Sequence, residues 1–176
     1  MDYKELLKKQ KVIKEWSYNH TPLHRGYSDK TLYVNVGTKE INEKDVPAEM
    51  KEKFVGGKGY GLRYLWDAIT PDTKWNDPEN EIIISGGPLC GITQYSGTGK
   101  SLVVSLSPQT DSIMDSNVGG YFGPFLKFSG FDALELQGKS DKDVILVIDG
   151  VNHKIQLLET EGLNNDSHLL AKELTE

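Results

Sequence analysis

Glu81–Ser107, EIIISGGPLCGITQYSGTGKSLVVSLS, is the stretch that decides how the fold reads. EIIIS and SLVVSLS are short, apolar and rich in β-branched residues, the make-up of buried strands. Gly86–Gly99 joins them with five glycines and a proline, so two strands are linked by a tight-turning loop.

Working upstream, Tyr60–Ile69 has helical spacing, with Leu62, Leu65, Trp66 and Ile69 on one face. Gly56–Gly59 separates it from a helix that Pro47 opens and that runs to Phe54 or Val55. Thr31–Val36 alternates as a strand, Gly37-Thr38 turns it, and Lys39–Ile41 returns as a short hairpin partner. Met1–Trp16 carries Leu6, Leu7, Val12, Ile13 and Trp16 among lysines and reads as an amphipathic helix. Ser17–Asp29 is turn-rich, a linker or docking arm.

Downstream, Gly120–Phe128 reads as a short helix with Gly130 as its stop. Ala133–Gln137 is a strand, and Val144–Ile148 with His153–Leu158 flanks the hairpin signal Asp149-Gly150. A last helix covers Asp166 to Leu174. Strands outnumber helices without strict βαβ alternation, so the fold class is α+β.

A length of 176 residues suits one full-sized domain or two small ones. The net charge of −6 and scattered basic residues argue against a nucleic-acid or anionic-membrane surface, which needs concentrated Lys and Arg. A single cysteine, Cys90, excludes a disulfide within the chain and a cysteine-ligated iron–sulfur cluster held by it alone. The start, MDYKELLKKQKVIKEW, is too charged for a signal peptide, and no apolar run approaches the ~20 residues of a membrane span. The expectation is a cytoplasmic protein with neither a membrane nor a nucleic-acid partner.

Gly97-Thr98-Gly99-Lys100-Ser101 imitates the end of a phosphate-binding P-loop. The first glycine of that motif is replaced by Gln94, and a strand rather than a helix follows, so only a simple anion contact survives. Gly56–Gly61 (GGKGYG) departs from G-x-G-x-x-G and follows a helix; it reads equally as a hinge or a ligand loop. Ser116–Gly123 (SNVGGYFG) offers an amide at Asn117, side-chain-free backbone at Gly119-Gly120, and a helix start. It is either a packed turn capping that helix or an anion site. His20 and His24 are split by Pro22, and they, His153 and His168 read as ordinary histidines.

Three segments in order and spacing carry a resemblance: PENEIIISGGPLCG (78–91), NVGGYFG (117–123) and LKFSGFDALELQGK (126–139). Together they resemble the N-terminal domain of the aldehyde ferredoxin oxidoreductases, over about residues 31–176, with residues 1–30 as a helical arm or linker outside it. The resemblance implies two β-sheets with flanking helices. These form a base for tungsten, or less commonly molybdenum, held by two pyranopterin (molybdopterin) dithiolenes. It implies pterin contacts at Asn117 and Gly119, with Gly120 beside them, and a magnesium ion bridging the pterin phosphates through the Asn117 backbone carbonyl. The basic position of the family, usually arginine, falls on Lys100; lysine keeps the charge without arginine's planar fork.

Family members run well beyond this length, and their later domains supply the [4Fe–4S] cysteines and the groups at the metal. The resemblance therefore implies a larger cluster-binding chain or further domains, and ferredoxin or an iron–sulfur electron-transfer subunit. It also implies a small-molecule substrate and no catalytic side chain in this segment. The expected reaction oxidises aldehydes to carboxylic acids with ferredoxin as acceptor. Alternatives are the active-site domain of a tungsten benzoyl-CoA reductase-like enzyme and a non-catalytic assembly subunit that has lost the cofactor.

Overall fold

A computed structural model of the chain describes residues 3–175. Met1 and Asp2, which open the helix expected over Met1–Trp16, and Glu176, which closes the expected domain, lie outside the described residues.

The chain begins with α1 (Tyr3–Lys9), β1 (Val12–Ser17), β2 (Lys30–Asn35), β3 (Glu40–Asp45), α2 (Ala48–Phe54) and α3 (Lys58–Ala68). It continues with β4 (Glu81–Ser85), β5 (Ser101–Leu106), β6 (Ile113–Val118), α4 (Phe122–Phe128) and β7 (Ala133–Gln137). β8 (Val144–Asp149), β9 (Lys154–Glu159) and α5 (Ser167–Glu173) complete it. Six strands form one mixed sheet in the order β3-β2-β7-β4-β5-β6, and three form a second in the order β1-β9-β8. In the larger sheet β2 and β7 run parallel and every other pair is antiparallel. The α+β class holds, with two sheets and flanking helices.

Side-chain alternation divides the core between the two faces of the larger sheet. Leu32, Val34 and Leu134 pack with Ile155 and Leu157 of β9, and Leu126 and Phe131 join them. The opposite face, Ile83, Val104 and Ala133, packs against Met50 of α2 and Tyr60, Tyr64 and Leu65 of α3. Gly61 is the point of closest approach: a Cβ there would stand 2.5 Å from Val104 Cγ2.

Four local expectations change. The helix expected over Met1–Trp16 covers only Tyr3–Lys9, because Val12–Ser17 pairs antiparallel with β9 instead. Trp66, expected on the buried face of its helix, is 73% exposed; Tyr60, Gly61, Tyr64 and Leu65 form that face. The return strand of the first hairpin is longer than Lys39–Ile41, reaching Asp45. Ser116–Val118, read as part of a turn, ends the strand β6, and the helix after it starts at Phe122 rather than Gly120. Gly130 ends that helix with φ +97°, as expected of a left-handed stop.

Candidate cofactor site

The glycine clusters, dispersed in sequence, converge at one end of the six-stranded sheet. β4 runs into Gly86 there, β5 starts there after Lys100, and β6 ends there before Gly119. The β5–β6 register sets Ser101 opposite Val118 and Leu102 opposite Asn117. Continued past its last pair, the same register carries Lys100 towards Gly119 and then Gly99 towards Gly120. A Cβ on Gly99 would stand 3.0 Å from the Gly120 carbonyl oxygen. The sequence-predicted residues Lys100, Asn117, Gly119 and Gly120 are thus brought together by two adjacent strand ends.

The surface they form is open. A Cβ built on Gly119 or Gly120 meets nothing within 4 Å, and the same holds at Gly87 and Gly97. Gly120 has φ +96°, a backbone state that β-carbon-bearing residues avoid. Lys100 and Asn117 are both exposed, and neither side chain has a hydrogen-bond or ion-pair partner among the described residues. Asn117 shares its face of β6 with Asp115, which Lys58 of the GGKGYG segment holds at 2.7 Å. That segment was open between hinge and ligand loop. It does link two helices, but it also reaches this end of the sheet: the Gly57 amide donates to the Gly86 carbonyl at 2.9 Å. A Cβ on Gly56 would be 2.7 Å from the same oxygen, so glycine is what lets the two loops touch.

The other candidates resolve simply. Lys100-Ser101 leads into a strand, so the P-loop likeness has no helix behind it. Cys90 is buried under the loop and donates to the Lys100 carbonyl at 3.9 Å. Burial pushes its thiol up, which leaves it a poor nucleophile. His20 stacks on His153 at 5.3 Å, while the His24 backbone pairs with Tyr27. Among the described residues no group of three His, Cys, Asp or Glu side chains could hold a metal ion.

Lys100 and Asn117 thus flank an open glycine surface at this end of the sheet. The family description "Aldehyde ferredoxin oxidoreductase, N-terminal domain" matches residues 31–176. The chain belongs to this family.

This aldehyde ferredoxin oxidoreductase N-terminal domain is 37% identical over 131 residues to the tungsten-containing aldehyde ferredoxin oxidoreductase of Pyrococcus horikoshii, covering 74% of this chain and 21% of that protein. It is 32% identical over 125 residues to the WOR-like subunit of an aliphatic sulfonate oxidoreductase from Pyrococcus furiosus, covering 69% of this chain and 20% of that one. Among solved structures it resembles the active-site complex BamBC of benzoyl coenzyme A reductase with bound 1,5-dienoyl-CoA. The TM-score is 0.72 and the identity 31%, over 77% of this chain and 20% of that chain. The chain spans about a fifth of the length of the curated relatives it matches. No helix among the described residues is long and apolar enough to cross a membrane.

Proposed function

We propose that the glycine end of the six-stranded sheet is the floor for a tungsten bis-pyranopterin cofactor in an oxidoreductase that converts aldehydes to carboxylic acids, with ferredoxin as electron acceptor. The observation that carries the reading is the open backbone at Gly119 and Gly120 beside Lys100 and Asn117, whose side chains have no partner among the described residues. Family membership and tungsten-containing relatives support it.

Each residue has a distinct task. Gly119 and Gly120 let a fused ring lie against the main chain, which any side chain would hold off. The Lys100 ammonium offsets phosphate charge as a point cation. The Asn117 amide would orient the pterin edge by hydrogen bonding, and its backbone carbonyl would be the group to hold a magnesium ion that offsets phosphate charge. When bound, the cofactor supplies the two-electron redox chemistry, while the protein orients it and sets its electrostatics. No side chain of this segment acts as acid or base. Those groups, and the [4Fe–4S] cluster that passes electrons on, come from polypeptide outside it.

Asn117→Ala and Gly119→Val test the assignment in protein purified without oxygen. Tungsten and pterin content should fall in both while the melting temperature stays put, since both positions are exposed. Full tungsten occupancy in both variants would remove the basis for the site.

The benzoyl coenzyme A reductase likeness favours a second substrate reading, reduction of an aromatic thioester on the same floor. Turnover of aldehydes against aromatic thioesters by the tungsten-loaded assembly separates the two. An assembly free of tungsten and pterin would favour a non-catalytic subunit.

A further inference from the structure

Two carboxyl groups are buried side by side in the six-stranded sheet, away from its glycine end. Glu81 opens β4, Glu135 lies in the middle of β7, and the two residues are 3% and 2% exposed. The β4–β7 register sets Glu81 opposite Gln137 and Ile83 opposite Glu135, so the two glutamates are diagonal neighbours on one face. Diagonal positions, about 7–8 Å apart, are within reach of long side chains. That face is the one on which α3 packs, where Ile83 meets Tyr64 and Leu65.

Charge does not balance here if both groups ionise. Lys44 of β3 meets Glu135 Oε2 at 2.9 Å, and its ammonium lies 4.1 Å over the Tyr33 ring of β2. From α3, Asp67 adds negative charge, which Arg63 answers at 3.0 Å. Tyr64 of the same helix directs its hydroxyl to Thr31 of β2, and β5 sets the apolar Val104 beside Ile83. One cation therefore serves two buried carboxyls, and an unpaired buried charge is costly enough that the group neutralises instead. Hydrogen bonding has the same shortfall. Glu81 Oε2 and Glu135 Oε1 are both buried, and neither has a partner among the described residues. Ionised carboxylates only accept, so a single proton between the two supplies the missing donor.

We propose that Glu81 and Glu135 share one proton, and that this bond latches the C-terminal half of α3 onto the sheet until rising pH removes the proton. In the closed form Glu81 Oε2–H donates to Glu135 Oε1, while Glu135 Oε2 keeps Lys44. The proton comes from water and returns to it, so no other reactant takes part. Burial raises both carboxyls, and at Glu81 the Glu135 charge adds to the rise and brings the opening towards about 8. The folded value of Glu81 exceeds its unfolded one, so the latch is closed at acid pH and opens as pH climbs. With the proton gone, two neighbouring carboxylates repel and draw in water. β4 and β7 are held by their ladder, so α3 is the element that lifts.

Infrared spectra of the full chain, taken from about pH 5 to about pH 10, follow the carbonyl stretch of protonated carboxyls, and subtraction of Glu81→Gln isolates the pair. A band equivalent to one carboxyl should persist through neutral pH in the parent. Its midpoint should fall by at least about one pH unit in Glu135→Gln, where the neighbouring charge is gone, and rise in Lys44→Gln. Lys44 is half-exposed, so the second variant tests the pair even where the first does not fold. Amide exchange at Leu65–Ala68, corrected for its base-catalysed rate, should rise at least about tenfold from about pH 6 to about pH 9 in the parent. It should stay level in Glu81→Gln, whose amide donates to Glu135 at every pH. No protonated carboxyl at neutral pH, a midpoint indifferent to both partner substitutions, or equal exchange in the parent and Glu81→Gln overturns the proposal.

Discussion

Lys127 and Asp132 form a buried ion pair, their side chains 2% and 1% exposed. Asp132 also accepts from the Ser28 amide at 3.1 Å and the Asp29 amide at 2.9 Å, and Lys127 donates to the Gly26 carbonyl at 3.0 Å. Both residues lie in the LKFSGFD segment that carries part of the family resemblance, and their work is architectural. They clasp the turn leading into β2 against the end of α4.

Breaking this pair one-sidedly should be severe. Asp132→Ala leaves an unpaired buried ammonium and two orphaned amides, an expected loss of about 3–5 kcal/mol. Lys127→Met in the same background replaces the stranded charge with an apolar side chain and should recover part of that loss. Urea denaturation of the single and double variants checks it. A single variant within about 1 kcal/mol of the parent would show that the clasp contributes little.

Glu81 gives the domain a pH dependence. It is 3% exposed, and burial pushes its carboxyl up to about 8, with Glu135 adding to the shift and Lys44 opposing it. Glu81 Oε2 and Glu135 Oε1 have no hydrogen-bond partner among the described residues. In the unfolded chain the proton leaves near the ordinary value of 4.5, so between there and about 8 the folded state holds a proton the unfolded state has lost. This contribution is complete below 4.5 and is lost as pH rises towards 8, at up to about 1.4 kcal/mol per pH unit. The urea midpoint should therefore fall between about pH 5.5 and about pH 8.5, and Glu81→Gln should flatten that fall. A parent whose midpoint is level over this range would refute the assignment.

How much of this was legible in the sequence depended on whether local pattern or a distant partner decides the structure. β4, β5, β7 and the β8–β9 hairpin announce themselves because each is a compact apolar run bounded by turn residues. Val12–Ser17 does not: Val12, Ile13 and Trp16 suit helical spacing, and only pairing with β9, some 140 residues away, makes them a strand. β6 is exposed along most of its length, so it lacks the alternation that burial imposes. Trp66 misleads for a related reason, since α3 packs through Gly61 and turns its largest side chain to solvent. At the candidate site Lys100, Asn117, Gly119 and Gly120 can be picked out from the sequence, but not their place at two adjacent strand ends. The contacts of Gly57 with Gly86 and of Gly99 with Gly120 are not legible either, because each joins segments distant in sequence.

Lys100 offers a test of charge against geometry at the floor. Lys100→Gln removes the cation from an exposed position and should lower tungsten and pterin content without moving the melting temperature. Lys100→Arg keeps the charge and adds the bidentate fork, so cofactor content should equal or exceed the parent's. Metal analysis on protein prepared without oxygen reads both. Equal cofactor content in all three proteins would mean that Lys100 faces no phosphate.

Two tyrosines on one face of α3 make opposite predictions from the same chemistry. Tyr60 is fully buried, and its hydroxyl has no hydrogen-bond partner among the described residues. Tyr64 is also buried, but its hydroxyl meets Thr31 Oγ1 at 2.7 Å. Removing an unsatisfied buried hydroxyl relieves a desolvation penalty, so Tyr60→Phe should leave stability unchanged or raise it by about 1 kcal/mol. Removing a satisfied one strands its partner. Thr31 is 0% exposed, so Tyr64→Phe should cost about 1–3 kcal/mol. The two rings pack edge to face at 6.3 Å and are preserved in both variants, which isolates the hydroxyl groups. Denaturation midpoints that shift equally for the two substitutions would mean that the Thr31–Tyr64 bond adds nothing to the packing of α3 on the sheet.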